Sequence, residues 1–111
     1  MSIFITQGRY SQAAMKALVA SPEDRAEPVR ALYERAGGKL LAYYVTFGEY
    51  DFLVVGEVPD PNAMLSILAT VGAGAGVTDL TTTLAVTSAE AKEAFAAAGK
   101  SAQQFRSAGQ S

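Results

Sequence analysis

Asp51 is the residue of this sequence whose surroundings best suit chemistry, because it follows a glycine and a tyrosine in the stretch FGEYDF, residues 47–52. If Gly48 and Glu49 alone form the turn of a hairpin, Asp51 lies opposite Thr46. On a sheet face that no helix covers, such a carboxylate could act as a general base. The alternative is that Asp51 accepts hydrogen bonds from Thr46 or from turn amides and only fixes the hairpin. We favour this structural alternative, because no histidine is available as a partner.

The composition limits the chemistry that any site can use. The chain contains no histidine and no cysteine. These absences remove the commonest zinc ligands, the usual axial ligand of haem and every catalytic triad with an imidazole base. Catalysis would have to use carboxylates, tyrosines, lysines, arginines or hydroxyl groups. We therefore predict no metal and no cofactor.

Alternation along the strands predicts further polar and aromatic residues on the same sheet face as Asp51. The predicted ligand-binding residues are Tyr44, Thr46, Asp51, Leu53, Glu57, Thr81 and Thr83. Glu57 lies roughly 20 Å from Asp51 along a strand, which is too far for a carboxylate pair within one chain. Its more ordinary role is an ion pair across subunits with Arg9, Arg25 or Lys39. The threonines could bind ligand oxygens, but their high β-propensity explains their presence equally well.

Three other features suggest chemistry but have simpler explanations. Tyr50 is predicted to point toward the helices and to belong to the core. Arg25 could bind an anion near a helix start, but Glu23 and Asp24 are adjacent, so we favour a solvated local salt bridge. The stretch GAGAG, residues 72–76, does not match a phosphate-binding loop, because the predicted helix precedes it and a strand follows.

These residues must be positioned by strands and helices that the residue pattern predicts. Strands are expected at about residues 2–8, 39–47, 50–58 and 77–86. Helix starts are indicated by Ser11, by Ser21 with Pro22, by Asp60 with Pro61, and by a capping box of Thr87 and Glu90. The helix after the capping box is predicted to end at Gly99.

The two-residue turn predicts both the register and the faces of the hairpin. The expected pairs are Tyr44 with Leu53, Ala42 with Val55, and Leu40 with Glu57. The face expected to lie under helices carries Leu41, Tyr43, Val45, Phe47, Tyr50, Phe52 and Val54. In the fourth strand, alternation places Thr78 on the side of Leu80 and Thr82, while Thr81, Thr83 and Ala85 lie on the other side.

The predicted order of strands and helices is βαββαβ, which is typical of an α+β ferredoxin-like fold with a four-stranded antiparallel sheet and helices on one face. The open face would show Phe4, Tyr44, Leu53, Val55 and Ala85. That surface is too apolar for a monomer. We therefore expect a homodimer, a dimeric α/β barrel, in which two sheets pair face to face. The domain is predicted to cover residues 1–99, and residues 100–111 form a polar tail that is frayed or serves assembly.

Length and charge indicate the general class of protein. The chain has 111 residues, a formal net charge of -2 and 50% hydrophobic residues, which suits one soluble globular domain. Nothing in this balance favours nucleic acid or a membrane surface as a partner. No leader pattern or long apolar run is present, so a cytoplasmic location is the expectation.

The hairpin motif resembles that of the GYD domain family, which is named for a glycine, a tyrosine and an aspartate that match Gly48, Tyr50 and Asp51. SPEDRAE around Arg25, the acidic Glu57 and the stretch TTTLAVTSAE add to the resemblance. It implies a dimeric α/β barrel, whose relatives include cofactor-free monooxygenases, small isomerases, haem enzymes and effector-binding domains of transcription regulators. The haem-using relatives depend on a histidine that this chain lacks. The resemblance therefore implies a fold more firmly than a function.

Three classes of function follow from the sequence. The favoured one is a small homo-oligomeric binding or regulatory module that holds an apolar or aromatic molecule at the sheet face. The alternative is a cofactor-independent monooxygenase or isomerase in which Asp51 or Tyr44 handles protons. The third is a structural component of a larger assembly. The absence of histidine and of a close carboxylate pair favours binding over catalysis.

Overall fold

The computed structural model describes residues 1–110 as one four-stranded antiparallel sheet with helices packed on one side. The elements in chain order are β1 Ser2–Tyr10, α1 Gln12–Ala20, α2 Ala26–Arg35, β2 Lys39–Val45, β3 Phe52–Val58, α3 Pro61–Ala73, β4 Val77–Ala85 and α4 Ser88–Ala102. The strand order in the sheet is β2-β3-β1-β4. The predicted ferredoxin-like fold is confirmed. Among residues 1–110, none of the helices is long and apolar enough to cross a membrane.

Side-chain caps start most of the helices where the sequence predicts them. Ser11 accepts a hydrogen bond from the Ala14 amide at 3.1 Å, and the carboxylate of Asp60 begins α3 in the same way. The predicted restart at Ser21 is wrong, because Ser21 ends α1 instead. The chain then turns, and Asp24 accepts a hydrogen bond from the Ala26 amide at 2.9 Å as α2 begins.

The core lies between the sheet and the helices α2 and α3. Its buried residues are Tyr33, Leu40, Phe52, Val54, Val58, Met64 and Ile67. The Tyr33 ring lies so close over Gly56 of β3 that a Cβ atom at position 56 would overlap it. Phe4 packs against this core, so its predicted place on the open face is wrong. It pairs with Gly56 and Leu84, and it shares the helix-covered side of β1 with Thr6.

The hairpin register is confirmed near the turn and wrong at its far end. Tyr44 lies opposite Leu53 and Ala42 opposite Val55, as predicted. Leu40 lies opposite Gly56, however, because β2 carries one extra residue, Leu41, in a β-bulge. The bulge turns Leu40 into the core, where it is 7% exposed, and leaves Leu41 45% exposed.

The strands of the hairpin end earlier than predicted. β2 ends at Val45 and β3 begins at Phe52, so Phe47 lies in the connecting loop and is 99% exposed. Val45 is exposed as well. Neither residue joins the core as predicted, although Phe52, the partner of Val45, is buried there.

A second bulge changes the faces of β4. Gln7 lies opposite Thr81 and Arg9 opposite Thr78, so β4 has one residue more than β1 in this interval. Asp79, with a φ of 55°, adopts the left-handed conformation that aspartate tolerates better than most residues. Thr78 therefore shares the face of its partner Arg9, and its predicted place beside Leu80 and Thr82 is wrong.

The helix α4 leaves the sheet after β4 and starts at the predicted capping box. The Thr87 hydroxyl accepts from the Glu90 amide, and the Glu90 carboxylate accepts from the Thr87 amide, both at 3.1 Å. The backbone hydrogen bond from Thr87 lowers the pKa of Glu90 below its usual value. The helix runs past the predicted end at Gly99 to Ala102. Its side chains are exposed, apart from a half-buried Ala91.

A candidate ligand cavity between the sheet and the helices

A cavity of about 460 Å³ lies between the helix-covered face of the sheet and helices α1, α2 and α3. This volume falls in the usual range of small-molecule sites. Most of the wall is apolar. Its residues include Ala14 and Leu18 of α1, Val29 of α2, Met64, Ile67 and Leu68 of α3, and Phe52, Val54, Val77 and Leu80 of the strands.

A pair of tyrosine hydroxyls forms the main polar feature of the cavity wall. The hydroxyl oxygens of Tyr10 and Tyr43 are 2.7 Å apart, so one donates a hydrogen bond to the other. Both rings lie against Phe52, with ring centroids 5.2 Å away for Tyr10 and 6.0 Å away for Tyr43. The aromatic contacts fix the direction in which the two hydroxyls point.

Burial sets the protonation state of the tyrosines in this wall. Desolvation, together with the hydrogen bond to Tyr10, raises the pKa of Tyr43 far above its usual value. Burial also raises the pKa of Tyr33. Both hydroxyls therefore keep their protons at neutral pH, which suits hydrogen bonding and argues against a phenolate base.

Further polar residues border the cavity. Thr6 is 5% exposed, and its hydroxyl lies 3.0 Å from that of Thr82 on the neighbouring strand. Among residues 1–110, the charged residues that line the cavity are Glu23 and Arg25. They form an ion pair at 2.8 Å with partly exposed side chains, which confirms the predicted local salt bridge.

Asp51 lies outside this cavity but supports one of its residues. Its carboxylate accepts a hydrogen bond from the Tyr10 amide at 2.9 Å, and its own amide donates to the Gly8 carbonyl at 2.8 Å. The Thr46 hydroxyl donates to the Tyr50 carbonyl instead of to the Asp51 side chain. Asp51 thus links the hairpin loop to the end of β1, where Tyr10 forms part of the cavity wall.

Tyr50 is not a core residue, contrary to the sequence prediction. Its hydroxyl lies 3.2 Å from that of Thr81, and the Arg9 guanidinium lies 5.5 Å from its ring centroid. Arg9 also donates to the Glu49 carbonyl at 2.7 Å and pairs with Asp79 at 3.3 Å. The loop that precedes β3 therefore folds across β1 and reaches β4, because Gly48, with a φ of 106°, allows the reversal.

None of the seven residues predicted to bind a ligand lines the cavity described here. Tyr44 and Leu53 are cross-strand neighbours, and Glu57 lies between Lys39 and Ile3. Thr83 lies opposite Ile5 on β4. Because β2 and β4 are the two edge strands, Tyr44 and the threonines are separated by about 14 Å of sheet. The open-face site remains a prediction.

Sequence reasoning did not identify Tyr10 and Tyr43 as site residues. Tyr43 was expected on the helix-covered face but only as core, and Tyr10 lay beyond the predicted end of the first strand. The sequence could have indicated them in one way: a tyrosine on a sheet face that is covered by helices needs a hydrogen-bond partner for its hydroxyl. Two tyrosines on that face, together with Thr6, indicate a polar spot inside an otherwise apolar layer.

The strand order, the one-sided helical layer and the cavity between them define a ferredoxin-like α+β domain with space for a small molecule. The pattern of the GYD domain matches residues 4–95. The chain belongs to the GYD domain family, as the hairpin motif predicted. A search of curated proteins found no significant match.

Several solved structures share this fold. A transcriptional regulator from Neisseria meningitidis, solved as a complex with L-Met, is 21% identical with a TM-score of 0.55, and the match covers 78% of this chain and 50% of the regulator. An AsnC family transcriptional regulator from Agrobacterium tumefaciens is 17% identical with a TM-score of 0.51 over the same shares. A protein from Thermus thermophilus is 18% identical with a TM-score of 0.50, over 78% of this chain and 95% of that one. At these identities, the likeness shows the fold alone.

Proposed function

We propose that this chain is a small ligand-binding module that holds a largely apolar molecule in the cavity between the sheet and its helices. The observation that carries the proposal is a cavity of about 460 Å³ with an apolar wall and a hydrogen-bonded pair of tyrosine hydroxyls. Such a mixture, a mostly apolar surface with a few placed polar groups, is the usual composition of a small-molecule site.

The ligand site proposed here lies on the helix-covered side of the sheet, whereas the sequence predicted a site on the open face. On the open face, the predicted polar residues are spread across the sheet, whereas the polar groups of the cavity line one volume between the sheet and the helices. Binding is favoured over catalysis because the buried Tyr43 hydroxyl, whose pKa is raised, holds its proton and the Asp51 carboxylate is occupied by a backbone amide. The occurrence of this fold in transcriptional regulators is compatible with a regulatory use of the bound molecule.

Filling the cavity tests the proposal. Ala14 lines the cavity from α1, whereas its neighbour Ala13 is exposed and does not. We expect Ala14→Phe to weaken binding of Nile red, a neutral apolar dye, by at least about tenfold, because the new ring occupies the ligand volume. Ala13→Phe, the matched control, should bind the dye like the wild-type protein. Dye fluorescence gives the affinity, and native mass spectrometry shows whether a molecule is retained from the host.

The result that would overturn the proposal is a folded Ala14→Phe protein that binds the dye as tightly as the control. Thermal unfolding of both variants shows whether they are folded. A dye that binds both variants equally would lie on an outer surface, and the cavity would then be a packing defect.

A further inference from the structure

We propose that the molecule held in the cavity is uncharged and carries an oxygen, as in a ketone, quinone or alcohol, that accepts a hydrogen bond from the Tyr10 and Tyr43 pair. This inference rests on the proposed function, because it specifies the chemistry of the ligand in the same cavity.

The charge balance of the wall argues for an uncharged ligand. Among the described residues, the cavity has one cation and one anion in its lining, Arg25 and Glu23, and they neutralise each other at 2.8 Å. Both side chains keep contact with solvent, so they border the entrance. A ligand charge placed deeper, among Val54, Ile67 and Leu80, would lose its hydration without gaining a counter-charge, which is strongly unfavourable.

The proton count of the tyrosine pair argues for an accepting oxygen on the ligand. Two phenols carry two protons, and the 2.7 Å hydrogen bond between Tyr10 and Tyr43 uses one of them. The other proton is free to be donated to a ligand. A pure hydrocarbon would displace water from this hydroxyl and leave it without a partner, whereas a carbonyl or hydroxyl oxygen would accept from it.

The aromatic surface beside the pair suits the rest of such a ligand. Phe52 lies against both tyrosine rings, and Val54 and Leu80 continue the wall away from the hydroxyls. A flat or branched apolar body can pack there while its oxygen reaches the tyrosines. The arrangement therefore selects for a polar atom at one end of the ligand.

Three probes of one size separate these requirements: 1-acetonaphthone, 1-ethylnaphthalene and 1-naphthoate at neutral pH. We expect the ketone to bind best, the hydrocarbon about tenfold more weakly because it lacks the acceptor, and the carboxylate more weakly than the hydrocarbon. Calorimetric titration measures all three affinities.

A double variant assigns the preference to the tyrosine pair. Because either hydroxyl alone can still donate, Tyr10→Phe and Tyr43→Phe are combined. We expect the double variant to bind the ketone and the hydrocarbon equally, within about twofold, because both donors are gone. Tyr50→Phe, which removes a hydroxyl outside the cavity, is the matched control and should keep the preference for the ketone.

The outcomes distinguish the ligand class from the proposed function. Tighter binding of the carboxylate than of the ketone, or a preference for the ketone that survives in the folded double variant, would overturn the ligand class while leaving the cavity as a binding site. Failure of all three probes to bind the wild-type protein would overturn the proposed function, and the ligand class with it.

Discussion

The hydroxyl groups of Tyr10 and Tyr43 are polar atoms on the side of the sheet that the helices cover, and one hydrogen bond joins them there. Their positions depend on residues outside the cavity. Asp51 holds the Tyr10 amide, and Arg9, the residue before Tyr10, is held by the Glu49 carbonyl and by Asp79. Asp51, a residue of the family motif, thus helps to position Tyr10 in the cavity wall although it does not line the cavity itself.

Asp51→Ala is expected to destabilise the protein by about 1–3 kcal/mol, because the Tyr10 amide loses a charge-assisted hydrogen bond in a partly buried position. Asp51→Asn should lose less, since its side-chain carbonyl can accept the same hydrogen bond. Urea unfolding measures both changes. The control is Glu49→Ala, which removes an exposed carboxylate from the same loop and should change stability by less than about 0.5 kcal/mol.

A different pattern would revise the role of Asp51. If Asp51→Ala were as stable as the control, the carboxylate would have no part in positioning Tyr10. A role as a general base, which the sequence allowed but did not favour, would then become the better explanation of its place in the motif.

At the scale of elements, the contact between α2 and β3 fixes how closely the helices approach the sheet. The Tyr33 ring of α2 occupies the space above Gly56, where any side chain would collide with it. The same Tyr33 side chain also lines the cavity. On the α1 side, the cavity wall includes small residues such as Ala14 and Ala17.

Gly56→Ala is expected to destabilise the protein by about 1–3 kcal/mol, because the added methyl group forces the buried Tyr33 ring out of place. Gly72→Ala in α3 is the matched control, since nothing lies within 4 Å of its added Cβ atom. That variant should gain up to about 0.5 kcal/mol, because alanine loses less backbone entropy than glycine even in the last turn of a helix. Chemical denaturation of the two variants measures both changes in the free energy of unfolding, which should have opposite signs. Equal effects would mean that the ring is not packed on Gly56.

In the molecule as a whole, the open face of the sheet combines partly exposed apolar residues with polar ones such as Gln7 and Glu57. Its apolar residues are Ile3, Ile5, Ala42, Leu53, Val55 and Ala85. We propose, as the sequence predicted, that a second copy of the chain covers this face. The proposal is independent of the cavity, which lies on the other side of the sheet.

Val55→Lys should convert a wild-type dimer into a monomer, because a lysine at the centre of the paired faces would bury an uncompensated charge. The side chain of residue 55 faces solvent in a single chain, so the monomer should stay folded. Leu65→Lys on the exposed side of α3 is the control and should leave the mass unchanged. Light scattering after size exclusion measures the mass. A wild-type monomer, or a Val55→Lys dimer, would contradict face-to-face pairing.

The residue pattern alone predicted the order of the strands and helices, the four-stranded antiparallel sheet, the pairing of the hairpin strands near their turn, and the family. These features depend on local properties: alternation along strands, caps such as Ser11 and Asp60, and the turn near Gly48. The pairing of Tyr44 with Leu53 was predicted correctly, although the connection is the longer loop 46–51 and not a turn of Gly48 and Glu49 alone.

Which face carries a cavity and which group Asp51 binds depend on the packing of the whole chain. The bulges at Leu41 and Asp79 shift residues between faces, and they arise from fitting whole strands together rather than from any local signal. The partner of Asp51 is the amide of Tyr10, far away in the chain. A cavity is the volume that packed elements fail to fill, so its existence depends on how three helices meet one sheet at once.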